Sequence, residues 1–107
     1  PTMRAARWGC AAVPLGGGDS LRRCLVVIGG FDEDNSEVGT TEVLDLETME
    51  FTGYGPAMLA GRGGCVAIAD DAGDQVFALG GLRSVEIEVL EAAASAQEET
   101  RALTRRR

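Results

Sequence analysis

The fold of this chain is decided by the stretch Leu25-Val26-Val27-Ile28-Gly29-Gly30, an apolar run that ends in two glycines. The run is rich in β-branched residues and is typical of a buried strand. The glycines at its end permit a bulge or the close approach of a neighbouring backbone. A second apolar run ends in the doublet Gly80-Gly81, 51 positions after the first doublet. A period of about 50 residues predicts an architecture built from repeated strand units.

The repetition extends to both sides of the glycine doublets. Upstream, the two copies share a methionine, an arginine and a Gly-Cys pair: Met3, Arg7 and Gly9-Cys10, then Met58, Arg62 and Gly64-Cys65. Downstream, they share an acidic and apolar phrase: Glu42-Val43-Leu44-Asp45, then Glu88-Val89-Leu90-Glu91. Because these parts recur in one order, the sequence predicts an all-β fold of antiparallel four-stranded units.

The strands within each unit follow from local patterns. Each copy opens with a small apolar segment, predicted as a strand over residues 7–13 and again over 62–69. Residues 41–46 alternate polar and apolar side chains, which predicts a strand with one face in solvent. Residues 49–54 are predicted as the outer strand of the first unit.

These strands predict three segments. Residues 1–57 form a first repeat, and residues 58–91 form a second repeat that lacks its outer strand. Residues 92–107 are rich in Ala, Glu, Gln and Arg and lack strand alternation, so they are predicted to be a helical or disordered tail. With 107 residues, the chain is too short for a closed ring of such units, which predicts a fragment or a unit that must assemble.

Composition excludes several classes of function. The net charge is −7, which disfavours nucleic acid and anionic membranes as partners. No apolar run approaches the length of a membrane span, and no signal peptide is visible. The chain has three cysteines and no histidine, so a zinc site or histidine-based catalysis is not expected, and neither is any cofactor. The odd cysteine count favours a reducing, cytoplasmic compartment.

An acidic loop is the strongest candidate binding site, and Tyr54 is a weaker one. The loop carries clustered oxygen-bearing side chains, Asp32, Glu33, Asp34, Asn35 and Glu37. It could be a solvated loop, bind Ca²⁺ or recognise a basic segment of another protein. Its spacing lacks the Gly and Glu positions of an EF-hand, so partner recognition is preferred over calcium.

The duplicated pattern resembles the kelch repeat of β-propellers, above all that of the kelch-like proteins. The matching positions are Arg7, Gly29, Gly30, Glu42, Val43, Asp45 and Thr48, then Arg62, Gly80, Gly81, Glu88 and Val89. The chain departs from that pattern at Leu44, where the family usually has Tyr, and at Phe51, where it has Trp. The resemblance implies propeller blades whose arginines serve the fold, and loops after the second strand that line a partner-binding face.

The resemblance implies a non-catalytic protein–protein interaction module that acts as a scaffold or substrate-recognition surface. In a longer parent it implies recruitment of a ubiquitin-ligase component. Two alternatives stay open: a fragment of a propeller enzyme whose catalytic residues lie outside this chain, and a truncated repeat without activity of its own. An exposed strand edge in the incomplete second repeat also predicts self-association.

Overall fold

The computed structural model describes residues 2–16, 23–55, 57–70, 75–82, 86–93 and 102–105. Within these ranges it contains eight strands and no helix, which confirms the all-β prediction. The strands are β1 (Ala11–Leu15), β2 (Cys24–Ile28), β3 (Thr41–Asp45), β4 (Glu50–Tyr54), β5 (Val66–Ala69), β6 (Gln75–Leu79), β7 (Ile87–Ala93) and β8 (Ala102–Arg105). The described part of the chain contains no helix that could cross a membrane.

The strands form two antiparallel sheets of the same topology. The first sheet has the order β1-β2-β3-β4 and the second has the order β5-β6-β7-β8. Equivalent pairs recur in register, since Val26 of β2 faces Val43 of β3 and Phe77 of β6 faces Val89 of β7. In the first sheet a bulge between Val43 and Leu44 shifts the pairing of β3 with β4. The sequence repeat is therefore also a repeat of strand pairing.

The core lies between the two sheets. One face of the first sheet packs against one face of the second, where strands β1 and β5 run close together. The buried core residues alternate along their strands, as expected for side chains that point to one face of a sheet. They are Val13, Leu15, Cys24, Val26, Ile28, Val43, Met58, Cys65, Val76, Ala78 and Leu90.

Strand β3 differs from the prediction of a half-exposed strand, because all five of its residues are buried. Its polar side chains do not face solvent. Glu42 is fully buried against Arg7, and Asp45 accepts a hydrogen bond at 2.8 Å from the backbone amide of Glu47. Polar and apolar residues do alternate along β3. The polar side chains, however, bond to donors inside the protein instead of water.

The first strand of each sheet begins later than predicted. Residues 7–10 and 62–65 are not in strands, and β1 and β5 begin at Ala11 and Val66. The glycines before them, Gly9 and Gly64, have φ of +63° and +71°, which breaks the extended conformation. β1 continues through Pro14, which is tolerated because β1 is at the edge of its sheet.

The tail prediction requires correction. β7 runs on to Ala93, and residues 102–105 form β8, which pairs antiparallel with β7 through Glu91 and Thr104. The second sheet thus has the outer strand that the sequence pattern lacked. Helix propensity is a weak preference, and the free backbone groups at the edge of β7 gain partners when β8 pairs with them. Residues 94–101, 106 and 107 of the predicted tail lie outside the described residues.

Candidate functional site

A buried ion pair holds the first sheet to the segment that precedes it. The Arg7 Nη2 atom lies 2.9 Å from the Glu42 Oε2 atom, and both side chains are completely buried. Arg7 also donates to the backbone carbonyls of Gly29 and Thr40, at 3.0 and 2.9 Å. Glu42 accepts from the backbone amides of Arg4 and Ala5. The pair therefore joins the segment before β1, the end of β2 and the start of β3.

The second sheet repeats this arrangement. The Arg62 Nη2 atom lies 2.9 Å from the Glu88 Oε2 atom. Arg62 donates to the carbonyls of Gly80 and Glu86, at 2.8 and 2.6 Å, and Glu88 accepts from the amide of Leu59 at 2.7 Å. A buried charge is costly unless it is paired and hydrogen-bonded, and these groups are both. In both sheets the arginine side chain bonds to the backbone and to a glutamate of the same repeat.

The backbone of Arg62 also joins the second sheet to the first. Its amide donates to the carbonyl of Val38 at 3.0 Å, and its carbonyl accepts from the amide of Gly30 at 2.9 Å. A Cβ atom on Gly29, whose φ is +67°, would fall inside contact distance of this carbonyl oxygen. At the first glycine doublet, the backbone that follows β2 thus touches the backbone of the segment that leads into the second sheet. Gly80 and Gly81 follow β6 and also have positive φ angles, of +66° and +130°.

The acidic loop is a tight turn whose residues divide into two groups. The Asp32 Oδ1 atom accepts from the amides of Asp34 and Ser36, at 2.9 and 3.0 Å, so this carboxylate holds the turn. Asn35 adopts a φ of +61°, which asparagine tolerates better than most residues. Glu33, Asp34 and Asn35 are exposed. The side chains available to a partner are therefore Glu33, Asp34 and Asn35, whereas Asp32 holds the turn.

Glu37 lies at the other end of the loop and contacts the second sheet's leading segment. Its Oε1 atom accepts from the amide of Gly63 at 3.3 Å, and its carbonyl lies against Gly61. The side chain is half-buried. Glu37 thus holds the loop to this segment, and its half-buried carboxylate lies at the edge of the loop.

An aromatic stack borders the acidic loop. The rings of Trp8 and Phe31 stack with centroids 4.5 Å apart, and their backbones exchange two hydrogen bonds. Phe31 packs on the backbone of Gly63, where any side chain would collide with the ring. Trp8 is 57% exposed, and Leu82, which bonds to Gly63 through its amide, is 72% exposed. Aromatic and aliphatic side chains thus form an exposed apolar row at this end of the molecule.

A cleft of about 400 Å³ lies between the acidic loop and this row. We call it the loop cleft, and it is lined by Phe31, Asn35, Ser36, Glu37, Gly61 and Leu82. The sequence interpretation placed Asn35 and Glu37 in this region but missed Phe31 and Leu82, which follow the two glycine doublets at equivalent positions.

Asp45 and Tyr54 are the remaining residues that the sequence singled out. Asp45 accepts from the amides of Glu47 and Thr48 and holds the turn between β3 and β4. Tyr54 ends β4, and its side chain lies outside the described residues. Across the described ranges, no group of three or more His, Cys, Asp or Glu side chains could hold a metal ion.

The three cysteines differ in environment, and we expect them to differ in reactivity. Cys10 is exposed, while Cys24 and Cys65 are buried. Burial raises the pKa of the Cys65 thiol, which suppresses the reactive thiolate. Timed alkylation with iodoacetamide at pH 8, read by mass spectrometry, should label Cys10 first and the other two only on unfolding in urea. Equal rates for all three in the native protein would contradict the described packing around Cys24 and Cys65.

Two comparisons with known proteins give no relative. No protein-family model matches the chain, and no curated protein matches it.

Proposed function

We propose that this chain is a non-catalytic protein–protein interaction module, built from two kelch-type propeller blades. The observation that carries the proposal is the loop cleft, where an acidic turn and an exposed apolar row lie side by side. The buried ion pairs Arg7–Glu42 and Arg62–Glu88 hold the fold together. Activity is therefore expected from the loops that the sheets support, as is usual for scaffolds of this kind.

The blade assignment is supported by the repeated unit. In each sheet an arginine from the leading segment bonds to the carbonyl of the first glycine of the doublet and to a glutamate of the third strand. Both sheets have four sequential antiparallel strands. These features agree with the kelch pattern that the sequence resembles.

The chemistry of the loop cleft favours a segment that carries both basic and apolar side chains. Glu33 and Asp34 are exposed carboxylates, and the protein's net charge of −7 adds long-range attraction for a basic partner. Leu82 lines the loop cleft, and Trp8 stacks on Phe31, another lining residue; both Leu82 and Trp8 are exposed and offer apolar contact. Exposed aromatic anchors next to a charged rim are common in recognition surfaces.

We expect the double substitution Glu33→Ser and Asp34→Ser to weaken binding of a basic peptide without unfolding the protein. The probe is a short peptide of alternating arginine and leucine, titrated at low salt while the fluorescence of Trp8, the sole tryptophan, is recorded. Two exposed charge contacts predict an affinity loss of roughly 2- to 30-fold. Raising the salt concentration should reduce the difference between the two proteins, because it screens exposed charges.

The matched control is Glu47→Ser with Glu50→Ser, which removes the same charge from exposed positions at the β3–β4 turn. This control should retain most of the affinity. An equal loss in both double variants would show that net charge alone attracts the peptide. Absence of binding to the unmodified protein at low salt would contradict recognition of basic segments.

A further inference from the structure

The two sheets present equivalent faces that differ sharply in exposure. The face of the first sheet that packs in the core is covered by the second sheet, and there Val13 is 7% exposed and Thr41 is 0% exposed. Their equivalents in the second sheet are Ile68 and Ile87, which are 52% and 59% exposed. We call this face of the second sheet the open face, and it consists of Val66, Ile68, Phe77, Leu79, Ile87 and Val89.

The open face carries apolar residues where solvent exposure would favour polar ones. Val66, Ile68 and Ile87 are all more than half exposed, and they lie on the same side of the sheet by strand register. A contiguous apolar patch of this kind on a small protein usually marks an interaction surface. The residues that cover the equivalent face of the first sheet come from β5, β6, β7 and the segment before them. A partner that covers the open face should therefore present a similar sheet face with a similar leading segment.

The segment before β1 lacks the hydrogen bonds that its counterpart makes. Met58, Arg62 and Gly64 donate backbone hydrogen bonds to the first sheet and its loops, at 2.7, 3.0 and 3.0 Å. Among the described residues, the equivalent amides of Met3, Arg7 and Gly9 have no such partner, and the Arg7 carbonyl also accepts no hydrogen bond.

The complementary donor is present on the second sheet. The amide of Gly30 donates to the Arg62 carbonyl, whereas the equivalent amide of Gly81 has no partner within the described part of the chain. A Gly81 amide from one molecule could therefore bond to the Arg7 carbonyl of another, in the way that Gly30 bonds to Arg62.

We propose that the open face docks a second copy of this chain, head to tail. The docking segment is the one before β1, together with the face of the first sheet that carries the exposed Ala12 and the half-buried Leu25. Ala12 is exposed, and its equivalent Ala67 packs against the core at the contact inside the chain. The new interface repeats the packing between the two sheets. It goes beyond the proposed binding function and uses different residues from the loop cleft.

A head-to-tail contact joins different surfaces on the two partners. An open assembly of any length therefore keeps one unused surface at each of its two ends. Copies continue to add until the rotation between neighbouring copies brings the two ends together and closes a ring. Propellers of four to eight units predict rings of two to four chains, since each chain supplies two sheets.

The test measures mass by analytical ultracentrifugation over a range of concentrations up to about 1 mM, which detects weak association. The unmodified chain should exceed its monomer mass of 11.2 kDa and approach a single multiple of it. Ile68→Arg blocks the open face, and Ala12→Arg blocks the docking face of the first sheet. Each variant alone should remain at 11.2 kDa.

The decisive sample is a mixture of the two variants. Each retains the surface that the other has lost, so the mixture should form a dimer and nothing larger. Met49→Arg, at an exposed position in the β3–β4 turn, should assemble like the unmodified chain. Circular dichroism melting establishes that each variant is folded, and Ile68→Ser replaces Ile68→Arg if the arginine unfolds the protein.

Three results would overturn the proposal. The first is an unmodified chain that stays monomeric at every concentration, which would leave the open face to a different partner. The second is assembly of both variants alone, which would point to pairing at the edges of β4 and β8 instead. The third is a mixture that forms no dimer.

Discussion

Replacing Arg62 with Met should lower the free energy of unfolding by about 3–5 kcal/mol, which is the usual cost of leaving a buried charge unpaired. The substitution leaves the Glu88 carboxylate buried without its partner and removes donors from the carbonyls of Gly80 and Glu86. Total stability of a small domain is about 5–15 kcal/mol, so this loss is large. Urea denaturation followed by circular dichroism measures it.

The partner of Arg62 in the ion pair is tested with a second variant, Glu88→Gln. Glutamine carries no charge, and its carbonyl oxygen can still accept from the amide of Leu59. The double variant Arg62→Met with Glu88→Gln should be more stable than the sum of the single losses predicts, by about 0.5–3 kcal/mol. Arg23→Met, at an exposed arginine, should change stability by less than about 0.5 kcal/mol. Additive losses would show that Arg62 and Glu88 do not act as a pair.

Gly29→Ala should destabilise the chain more than the same substitution at Gly64. Both glycines have left-handed φ angles, of +67° and +71°, so alanine pays a similar backbone cost of about 1–2 kcal/mol at each. A Cβ at Gly29 collides with the Arg62 carbonyl, whereas a Cβ at Gly64 has no atom within 4 Å. The collision should add about 1–3 kcal/mol at Gly29.

The comparison of Gly29→Ala with Gly64→Ala isolates the contact between the sheets, because the conformational cost cancels. Urea midpoints with a common slope supply the difference in free energy. Equal losses would mean that the backbone angle accounts for the whole effect. They would also contradict the close approach of the two sheets at the first glycine doublet.

The duplicated motif allowed much of the fold to be predicted. Glycine doublets and apolar runs recur in fixed order, and each marks a feature that depends on local sequence: β2 and β6 end at Ile28 and Leu79, immediately before their doublets. Strand propensity and turn chemistry act over a few residues, so a pattern along the chain can reveal them.

The errors arose where a distant partner decided the outcome. Glu42 alternates with apolar residues as a solvent-facing residue would, but Arg7 reaches it from 35 positions away and buries it. Residues 102–105 have no strand pattern, yet the free edge of β7 pairs with them. Phe31 and Leu82 follow their doublets as single apolar residues, and only the folded chain brings them to one cleft.

Arg62 precedes β5 but bonds to residues of both repeats, and this affects how the molecule unfolds. Its side chain closes the second sheet, while its backbone amide and carbonyl bond to Val38 and Gly30 of the first. Repeat units that contact only their neighbours can unfold one at a time when the coupling between them is weak. Here the opening of either sheet breaks bonds of the same residue, so amide protons in both sheets should exchange with solvent through a common cooperative event.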